Sequence, residues 1–188
     1  MDVKDLSLPG LKLLKPRLFA DSRGYFLETY SERTFAQAGI TTKFVQDNRS
    51  LSTAKGTVRA LHLQLPPAAQ AKLVHVLQGS IFDVAVDLRV GSPTYGRWEG
   101  VILSAAGGEQ LLVPQGFAHG FCTLEPDTGV AYKVDAFYAP AAEKGLIWND
   151  PELGIRWPVE ASEAILSDKD KLLGSFRDFQ SPFSYQGP

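Results

Sequence analysis

The chain has a single cysteine, Cys122, among its 188 residues and therefore cannot form an intrachain disulfide. This scarcity is typical of proteins from a reducing compartment. Long apolar runs are also lacking: none approaches the roughly 20 residues of a membrane-spanning helix. The first residues contain no continuous apolar segment of the kind found in secretory signals. We therefore expect a cytoplasmic protein with no membrane partner.

An excess of charge of one sign is lacking as well. The 19 basic and 21 acidic residues give a formal net charge of −2. Such a balance provides no general attraction for nucleic acid, so we expect no nucleic-acid partner. Hydrophobic residues make up 44% and charged residues 21% of the chain, as in an ordinary globular protein.

Several local signatures of function are missing. The sequence contains no G-x-G-x-x-G, no G-x-x-x-x-G-K-[ST] and no G-x-S-x-G, which argues against dinucleotide binding, P-loop chemistry and a serine-hydrolase elbow. The three histidines, His62, His75 and His119, are far apart and form no His-x-His pair. We therefore expect no metal site. A metal-dependent jelly-roll enzyme remains the alternative, because ligands can converge from separate strands.

Short stretches of alternating apolar and polar residues dominate the sequence. Between residues 80 and 89, Phe82, Val84 and Val86 share one face of a strand, while Asp83 and Asp87 share the other. Glycine- and proline-containing turn signals separate such stretches. The pattern predicts strands at 11–14, 25–30, 44–51, 58–64, 72–78, 80–89, 98–103, 110–113, 117–123 and 131–137. Many short strands with few helices predict an all-β sandwich or jelly roll.

Helices are expected only at the periphery. A short helix at 31–38 would begin at the N-cap Ser31 and end before Gly39, and another is expected at 167–173. No internal repeat or change in composition marks a second domain, so the chain is expected to form a single domain over residues 1–188. Residues 176–188 are expected to form a peripheral tail.

Polar residues interrupt the apolar strand at 58–64. Strict alternation places Ala60, His62 and Gln64 on one face and Arg59 on the other, unless a bulge intervenes. His62 is either a structural histidine with satisfied hydrogen bonds or a general base, since imidazole accepts protons near neutral pH.

Four further residues allow two interpretations each. Lys72 is either a solvated charge at a strand end or a group that stabilises a developing oxyanion. His119 is either a core residue or a phosphate donor, and Tyr132 is either a packed aromatic or a proton donor. Asp170 completes a Ser-x-x-Asp capping box that begins at Ser167. Its carboxylate could instead orient His62 and stabilise the imidazolium form.

Taken together, these segments resemble the dTDP-4-dehydrorhamnose 3,5-epimerase family. Eight matching segments occur in family order across roughly residues 10–175, and that order makes the resemblance specific. They are FADSRGYFLE at 19–28, QDNRS at 46–50, VRALHLQ at 58–64, QAKLV at 70–74, VAVDLRVGSPTYGRW at 84–98, VPQGFAHGF at 113–121, AYKVDAFYAP at 131–140 and WNDPELGIRWP at 148–158.

The resemblance implies a cupin-like double-stranded β-helix with a few short peripheral helices. It also implies a homodimer with N-terminal strands at its interface, and a dTDP-4-keto-6-deoxyhexose substrate that is epimerised at C3 and C5 without metal or organic cofactor. It implies catalytic roles for His62 as base, Asp170 as its partner, Lys72 as the enolate-stabilising group and Tyr132 as acid. The substrate contacts that it implies are Arg23, Glu28, Gln46, Asn48, Arg59, His119, Tyr138 and Glu143, with Arg23 and Glu28 able to come from the partner subunit.

Two residues depart from the family pattern. Ala60 stands where glycine is usual and could narrow the pocket beside His62 by one methyl group. His75 stands where arginine is common and could change the local charge. Both departures leave the proposed proton-transfer groups intact but bear on regiospecificity, so the alternatives are an epimerase acting only at C3 and one acting only at C5. A sugar-nucleotide-binding module without turnover is a more distant alternative.

Overall fold

The computed structural model describes residues 1–187 as two antiparallel sheets that pack face to face, which confirms the expected all-β jelly roll. The strands are β1 (Asp2–Asp5), β2 (Lys12–Lys15), β3 (Leu18–Asp21), β4 (Gly24–Leu27), β5 (Gln46–Ser52), β6 (Val58–Gln64), β7 (Lys72–Gln78), β8 (Ser80–Asp87), β9 (Trp98–Ser104), β10 (Gln110–Val113), β11 (Phe117–Thr123), β12 (Thr128–Val134) and β13 (Glu143–Gly145). The six-stranded sheet has the order β1-β2-β10-β7-β12-β5, and the five-stranded sheet has the order β13-β6-β11-β8-β9. Strands β3 and β4 form a separate hairpin.

Strand β8 shows how the alternating sequence produces the layers. The side chain of Ala85 packs between the sheets with Val74 of β7 and Val130 of β12. Val84 and Val86 point the other way, into a second apolar cluster. The five-stranded sheet is therefore buried on both faces, and the alternation expected for residues 80–89 is present.

The second cluster lies under the C-terminal third of the chain, which includes Trp148 and Leu153. The segment expected to be a peripheral tail also packs here, through Phe176, Phe179 and Phe183. The amide of Val90 donates to the carbonyl of Phe183 at 2.8 Å. Residues 176–187 therefore cover the outer face of the five-stranded sheet; Pro188 lies outside the described residues.

The helix expected at 31–38 is present as α1 (Glu32–Gln37), with Ser31 at its N-cap. Its residue Phe35 packs with Leu14 and Leu73 on the outer face of the six-stranded sheet. The helix expected at 167–173 is only a 3₁₀ turn at Asp170–Leu172, and another such turn spans Pro140–Ala142. Three strands of three or four residues, β1, β3 and β13, were not predicted. Within residues 1–187 no helix is long and apolar enough to cross a membrane.

Candidate active site

A cavity of about 440 Å³ lies between the two sheets and gathers most of the polar residues identified from the sequence. Strands β5, β6, β7, β11, β12 and β13 all contribute to its wall. The residues expected in the site that line it are Gln46, Asn48, Arg59, His62, Lys72, His119, Tyr132, Tyr138, Glu143 and Asp170.

Strand pairing divides these groups between two opposite walls. His62 on β6 is the cross-strand partner of His119 on β11, within the five-stranded sheet. Tyr132 on β12 pairs with Asn48 on β5, within the six-stranded sheet, and Lys72 begins β7 in that same sheet. His62 and Tyr132 therefore approach the cavity from different sheets.

An irregularity in β6 brings Arg59 and His62 to the same cavity. Between His62 and Arg59 there are two residues, whereas between their partners on β11 there is only Gly120. This extra residue is a bulge, which reverses the alternation along the bulged strand. Arg59 and His62 therefore both line the cavity, which is the exception to strict alternation that was allowed for a bulge.

The bulge also explains where the unusual Ala60 lies. Ala60 is completely buried and packs in the cluster on the outer side of the five-stranded sheet. A Cβ added to Gly120 would lie 2.3 Å from the Ala60 Cβ. The methyl group that Ala60 has, and that glycine would lack, therefore occupies the space next to Gly120. Ala60 is not among the residues that line the cavity. The expectation that it narrows the pocket directly is therefore wrong.

His62 and Asp170 form a buried pair. His62 Nε2 lies 3.0 Å from Asp170 Oδ1, and only 6% of the Asp170 side chain is exposed. Burial by itself would raise the pKa of Asp170, but the hydrogen bond with His62 holds it below its usual value. Ser167 meanwhile accepts a hydrogen bond from the Asp170 amide at 3.1 Å. Only the Ser167 half of the capping box is therefore present, and the Asp170 carboxylate is directed at His62.

Lys72 extends from the six-stranded sheet to the backbone of the opposite one. Its ammonium donates a hydrogen bond to the His62 carbonyl at 3.2 Å. The pKa of Lys72 is lowered to about 8, because the effect of burial outweighs the opposing effect of the negative charges of Asp83 and Glu143. Lys72 is therefore a cation held within the site and is not a solvated strand-end charge.

His119 also has a buried carboxylate partner. Its Nε2 lies 2.8 Å from Asp83 Oδ1, and Asp83 is completely buried. The second oxygen of Asp83 has no hydrogen-bond partner among the described residues. The negative charge of Asp83 also raises the pKa of Lys72 in the cavity wall.

Tyr132 has a phenol that is protonated at neutral pH. Burial raises the pKa of its phenol; the charge of Arg59 opposes that rise, and the charge of Glu143 adds to it. A phenol that stays protonated at neutral pH is suited to donate its proton to a carbanion.

Glu143 connects three cavity residues. Its Oε2 accepts a hydrogen bond from the Tyr138 hydroxyl at 2.7 Å and lies 2.6 Å from the Lys169 ammonium. Its Oε1 lies 3.8 Å from His62 Nδ1. Burial would raise the pKa of Glu143, but the hydrogen bonds from Lys169 and Tyr138 hold it below its usual value.

Gln46 organises the neighbouring part of the wall. Its side-chain amide donates to Asn48 Oδ1 at 2.8 Å, and its carbonyl oxygen accepts from the Tyr138 amide at 3.1 Å. Gln46 therefore fixes both the amide group of Asn48 and the backbone that carries the Tyr138 ring.

Arg23 and Glu28 do not reach this cavity within the chain. Arg23 forms an ion pair with Asp21 in the exposed hairpin, and Glu28 accepts a hydrogen bond from the Thr34 hydroxyl. His75 also lies elsewhere, in a second hollow of about 320 Å³ beside Phe26 and Gln110. The histidine that replaces the usual arginine at position 75 therefore does not line the candidate site.

Two charged residues that contact site residues were not identified as candidates from the sequence. Asp83 was noted only for its face of β8, although a carboxylate on the inner face of a strand is itself a signal of a polar site. Lys169 appeared only inside the capping box, but it lines the cavity and pairs with Glu143. No local pattern predicts that second contact, because Glu143 is more than twenty residues away in sequence.

Comparison with known proteins agrees with this geometry. The model of the dTDP-4-dehydrorhamnose 3,5-epimerase family matches residues 5–178. The chain belongs to the dTDP-4-dehydrorhamnose 3,5-epimerase family. A curated family member from Sinorhizobium fredii is 49% identical over 185 residues, which cover 98% of this chain and 94% of that protein.

Solved structures of family members superpose closely on this fold. The enzyme of Bacillus anthracis, crystallised with TDP and PPi, is 53% identical, with a TM-score of 0.90 over 93% of this chain and 98% of that one. The Legionella pneumophila epimerase, in complex with dTDP-4-keto-L-rhamnose, is 40% identical, with a TM-score of 0.93 over 99% of both chains. The family resemblance read from the sequence motifs is confirmed.

Proposed function

We propose that this chain epimerises dTDP-4-dehydro-6-deoxy-D-glucose at C3 and C5 and so forms dTDP-4-dehydro-L-rhamnose. The observation that carries this proposal is the placement of His62 and Tyr132 in different sheets, both facing one cavity. Inversion at carbon requires a proton to leave from one face of the sugar ring and another to arrive from the opposite face. A base and an acid on opposed walls meet that requirement.

The first step is proton abstraction beside the C4 ketone. His62 takes the proton, and Asp170 stabilises the imidazolium that forms, as carboxylate partners do for other catalytic histidines. The C–H electron pair moves into the ketone and gives an enolate. The Lys72 ammonium stabilises the enolate oxygen, because a fixed cation in a partly buried site favours developing negative charge. The ketone is the electron sink, so these steps need no metal or cofactor.

The second step is reprotonation from the other wall. Tyr132 delivers its proton to the carbon face opposite His62, and the inverted configuration results. A positioned acid or base contributes about 10²–10⁴-fold to such reactions. Repetition at the second carbon beside the ketone completes the conversion.

The remaining cavity residues supply contacts for the nucleotide part. Arg59 and His119 provide donors for the pyrophosphate, and a guanidinium is suited to bind phosphate oxygens in pairs. Asn48, ordered by Gln46, offers a further amide. Tyr138, with 54% of its surface exposed at the cavity rim, offers a ring face for the thymine base. Glu143 is a further contact for the sugar or nucleotide.

A homodimer would complete the nucleotide site. Phe19, Tyr25 and Phe26 of the β3–β4 hairpin are between 49% and 69% exposed, although an isolated hairpin is marginally stable in water. Packing of this hairpin on a second copy would cover these rings. It would also let Arg23 and Glu28 contact the nucleotide in the partner's cavity.

A nucleotide-sugar substrate and the single cysteine are in keeping with a cytoplasmic location.

The test is proton NMR of the dTDP-4-keto-6-deoxyglucose substrate with the enzyme in deuterated water. Deuterium at both C3 and C5, together with formation of the L-lyxo product, is the expected result. Exchange at a single carbon would replace the proposal with a C3-only or C5-only epimerase, which the same four reacting groups would also serve. Binding without exchange would point to a sugar-nucleotide-binding module.

A further inference from the structure

The proposed double inversion creates a proton imbalance inside the site. Each inversion leaves His62 with one proton more and Tyr132 with one proton fewer than before. A second inversion on the same sugar requires His62 to lose that proton and Tyr132 to regain one. Something must therefore reset the two residues between the steps, a requirement that rests on the proposed function.

The base is poorly placed to return its proton directly to bulk water. His62 Nε2 is occupied by Asp170, so Nδ1 is the ring nitrogen left to take up a proton. Nδ1 is buried and has no hydrogen-bond partner among the described residues. A sugar bound in the cavity would separate this nitrogen further from solvent.

The carboxylate nearest to Nδ1 belongs to Glu143. Its Oε1 lies 3.8 Å from His62 Nδ1, about 1 Å beyond a hydrogen bond. Contacts between catalytic groups often tighten only when substrate is bound. Tyr138 and Lys169 both contact Oε2, so the other oxygen remains directed at the imidazole.

The surroundings of Glu143 suit a transient proton carrier. Lys169 and Tyr138 hold its pKa below the usual value despite burial, so it is ionised when the imidazolium forms and holds a proton only briefly. Its side chain keeps 19% of its surface exposed, and the side chain of Lys169 keeps 60%. Glu143 therefore touches both the enclosed base and the solvent at the cavity mouth.

Other polar groups around His62 are less suited to accept its proton. Asp170 is only 6% exposed on its side chain and is already bonded to Nε2. Lys72 donates to the His62 carbonyl, and an ammonium has no lone pair to accept a proton. The neighbouring His119 is bonded to Asp83.

We propose that Glu143 resets the enzyme between the two inversions. Its Oε1 accepts the proton from Nδ1 of the His62 imidazolium, which becomes neutral imidazole again. The resulting carboxylic acid releases this proton to water at the cavity mouth, and Tyr132 regains a proton from water. One proton leaves and one enters, so the site returns to its starting state.

The experiment compares Glu143→Gln with wild type under single-turnover conditions. Glutamine keeps the shape and the contact with Tyr138 but cannot carry the proton. Quenched samples, analysed by NMR for total sugar, give the rates of the first and second inversions separately. The second inversion should slow by about 10²-fold relative to the first, so that a singly inverted sugar accumulates. Added formate or imidazole buffer should restore the second rate, because a small acid–base pair can replace the missing carrier.

A matched control is Glu152→Gln, which removes an exposed carboxylate that pairs with Arg177 outside the cavity. It should leave the ratio of the two rates unchanged. Lys169→Met is a second test that keeps Glu143, and it should give a smaller accumulation because Oε2 loses its ion pair.

Two results would overturn the inference while leaving the proposed function intact. One is equal slowing of both inversions in Glu143→Gln, with a raised KM and no response to buffer, which would make Glu143 a substrate contact only. The other is a wild-type ratio of rates in both Glu143→Gln and Lys169→Met. Failure of the wild-type enzyme itself to exchange protons at C3 and C5 would instead refute the proposed function.

Discussion

Asp83 Oδ1 lies 2.8 Å from His119 Nε2, and the carboxylate is completely enclosed by protein. A buried charge is costly unless opposite charges accompany it. Here the Lys72 ammonium supplies one, since Asp83 is the strongest of the charges that raise the pKa of Lys72. Asp83 thus helps to keep cationic the residue proposed to stabilise the enolate.

Asp83→Asn should therefore move the alkaline limb of activity to lower pH. Burial already brings the pKa of Lys72 to about 8, so wild-type activity should decline as pH rises above that value. Loss of the nearby anion lowers the pKa of Lys72 further, and its ammonium form is lost at a lower pH. A kcat/KM profile against pH measures the shift. The control is Asp178→Asn, which removes an exposed carboxylate outside the cavity and should leave the alkaline limb at its wild-type pH. An alkaline limb at the wild-type pH in Asp83→Asn would contradict the prediction.

Loss of either member of the His62–Asp170 pair should remove most turnover but not binding. His62→Ala removes the base, and Asp170→Asn removes the charge that stabilises the imidazolium. Each should lower kcat by about 10²–10⁴-fold. Calorimetric titration with dTDP should show affinity close to wild type, because the proposed nucleotide contacts are other residues. Wild-type turnover in either variant would refute the proposed pair.

Tyr132→Phe should separate proton exchange from inversion. His62 remains able to remove a proton and to return one to the same face, so deuterium should still enter the substrate in deuterated water. Inversion should fall by about 10²–10⁴-fold because the donor on the opposite wall is gone. NMR measures both rates in one sample. Equal loss of exchange and inversion would argue against Tyr132 as the second proton-transfer group.

The β6 bulge should be sensitive to a single methyl group on the facing strand. A Cβ at residue 120 would meet the Ala60 Cβ at 2.3 Å and the Arg59 carbonyl at 2.8 Å, so Gly120→Ala must displace the segment between Arg59 and His62. We expect a loss of about 1–3 kcal/mol in the free energy of unfolding, as for other overpacked sites, together with reduced kcat/KM. Gly174→Ala is the control, since a Cβ there meets nothing within 4 Å. Thermal denaturation and steady-state kinetics would show whether the two variants differ.

The exposed hairpin provides a test of the dimer. Phe26 is 69% exposed in the single chain, and burial of such a ring at an interface is worth about 1.5–3 kcal/mol. Phe26→Ser should therefore raise the dimer Kd by about 10–100-fold, measured by sedimentation equilibrium, and weaken dTDP binding. Ile102→Ser changes a residue of similar exposure, 65%, on β9 and should affect neither. A monomeric wild type would refute the dimer.

The sequence by itself determined the class of fold and most of the site. Alternation in segments such as β8 is a local property, because successive side chains on a strand point to opposite faces. The prediction of the strand, and of the side chains that share each face of β8, therefore needed no tertiary information. The order of the motifs identified the family and, with it, residues such as His62, Lys72 and Tyr132, which do line one cavity. The short strands β1, β3 and β13 escaped prediction and contain no buried residue, whereas the equally short β10, whose four residues are all buried, was predicted.

Tertiary structure decided the remaining relationships, because they join residues that are distant in sequence. The bulge that turns Arg59 towards His62 depends on the register between β6 and β11, and register is set by pairing across the whole sheet. The contact of Asp83 with His119 and that of Glu143 with Lys169 arise only when separate strands and loops meet. Their effects on the charges of Lys72 and Glu143 follow from burial, which no local sequence pattern specifies. The sequence thus named the groups proposed to react, and the packing of the two sheets set their environment and their distances.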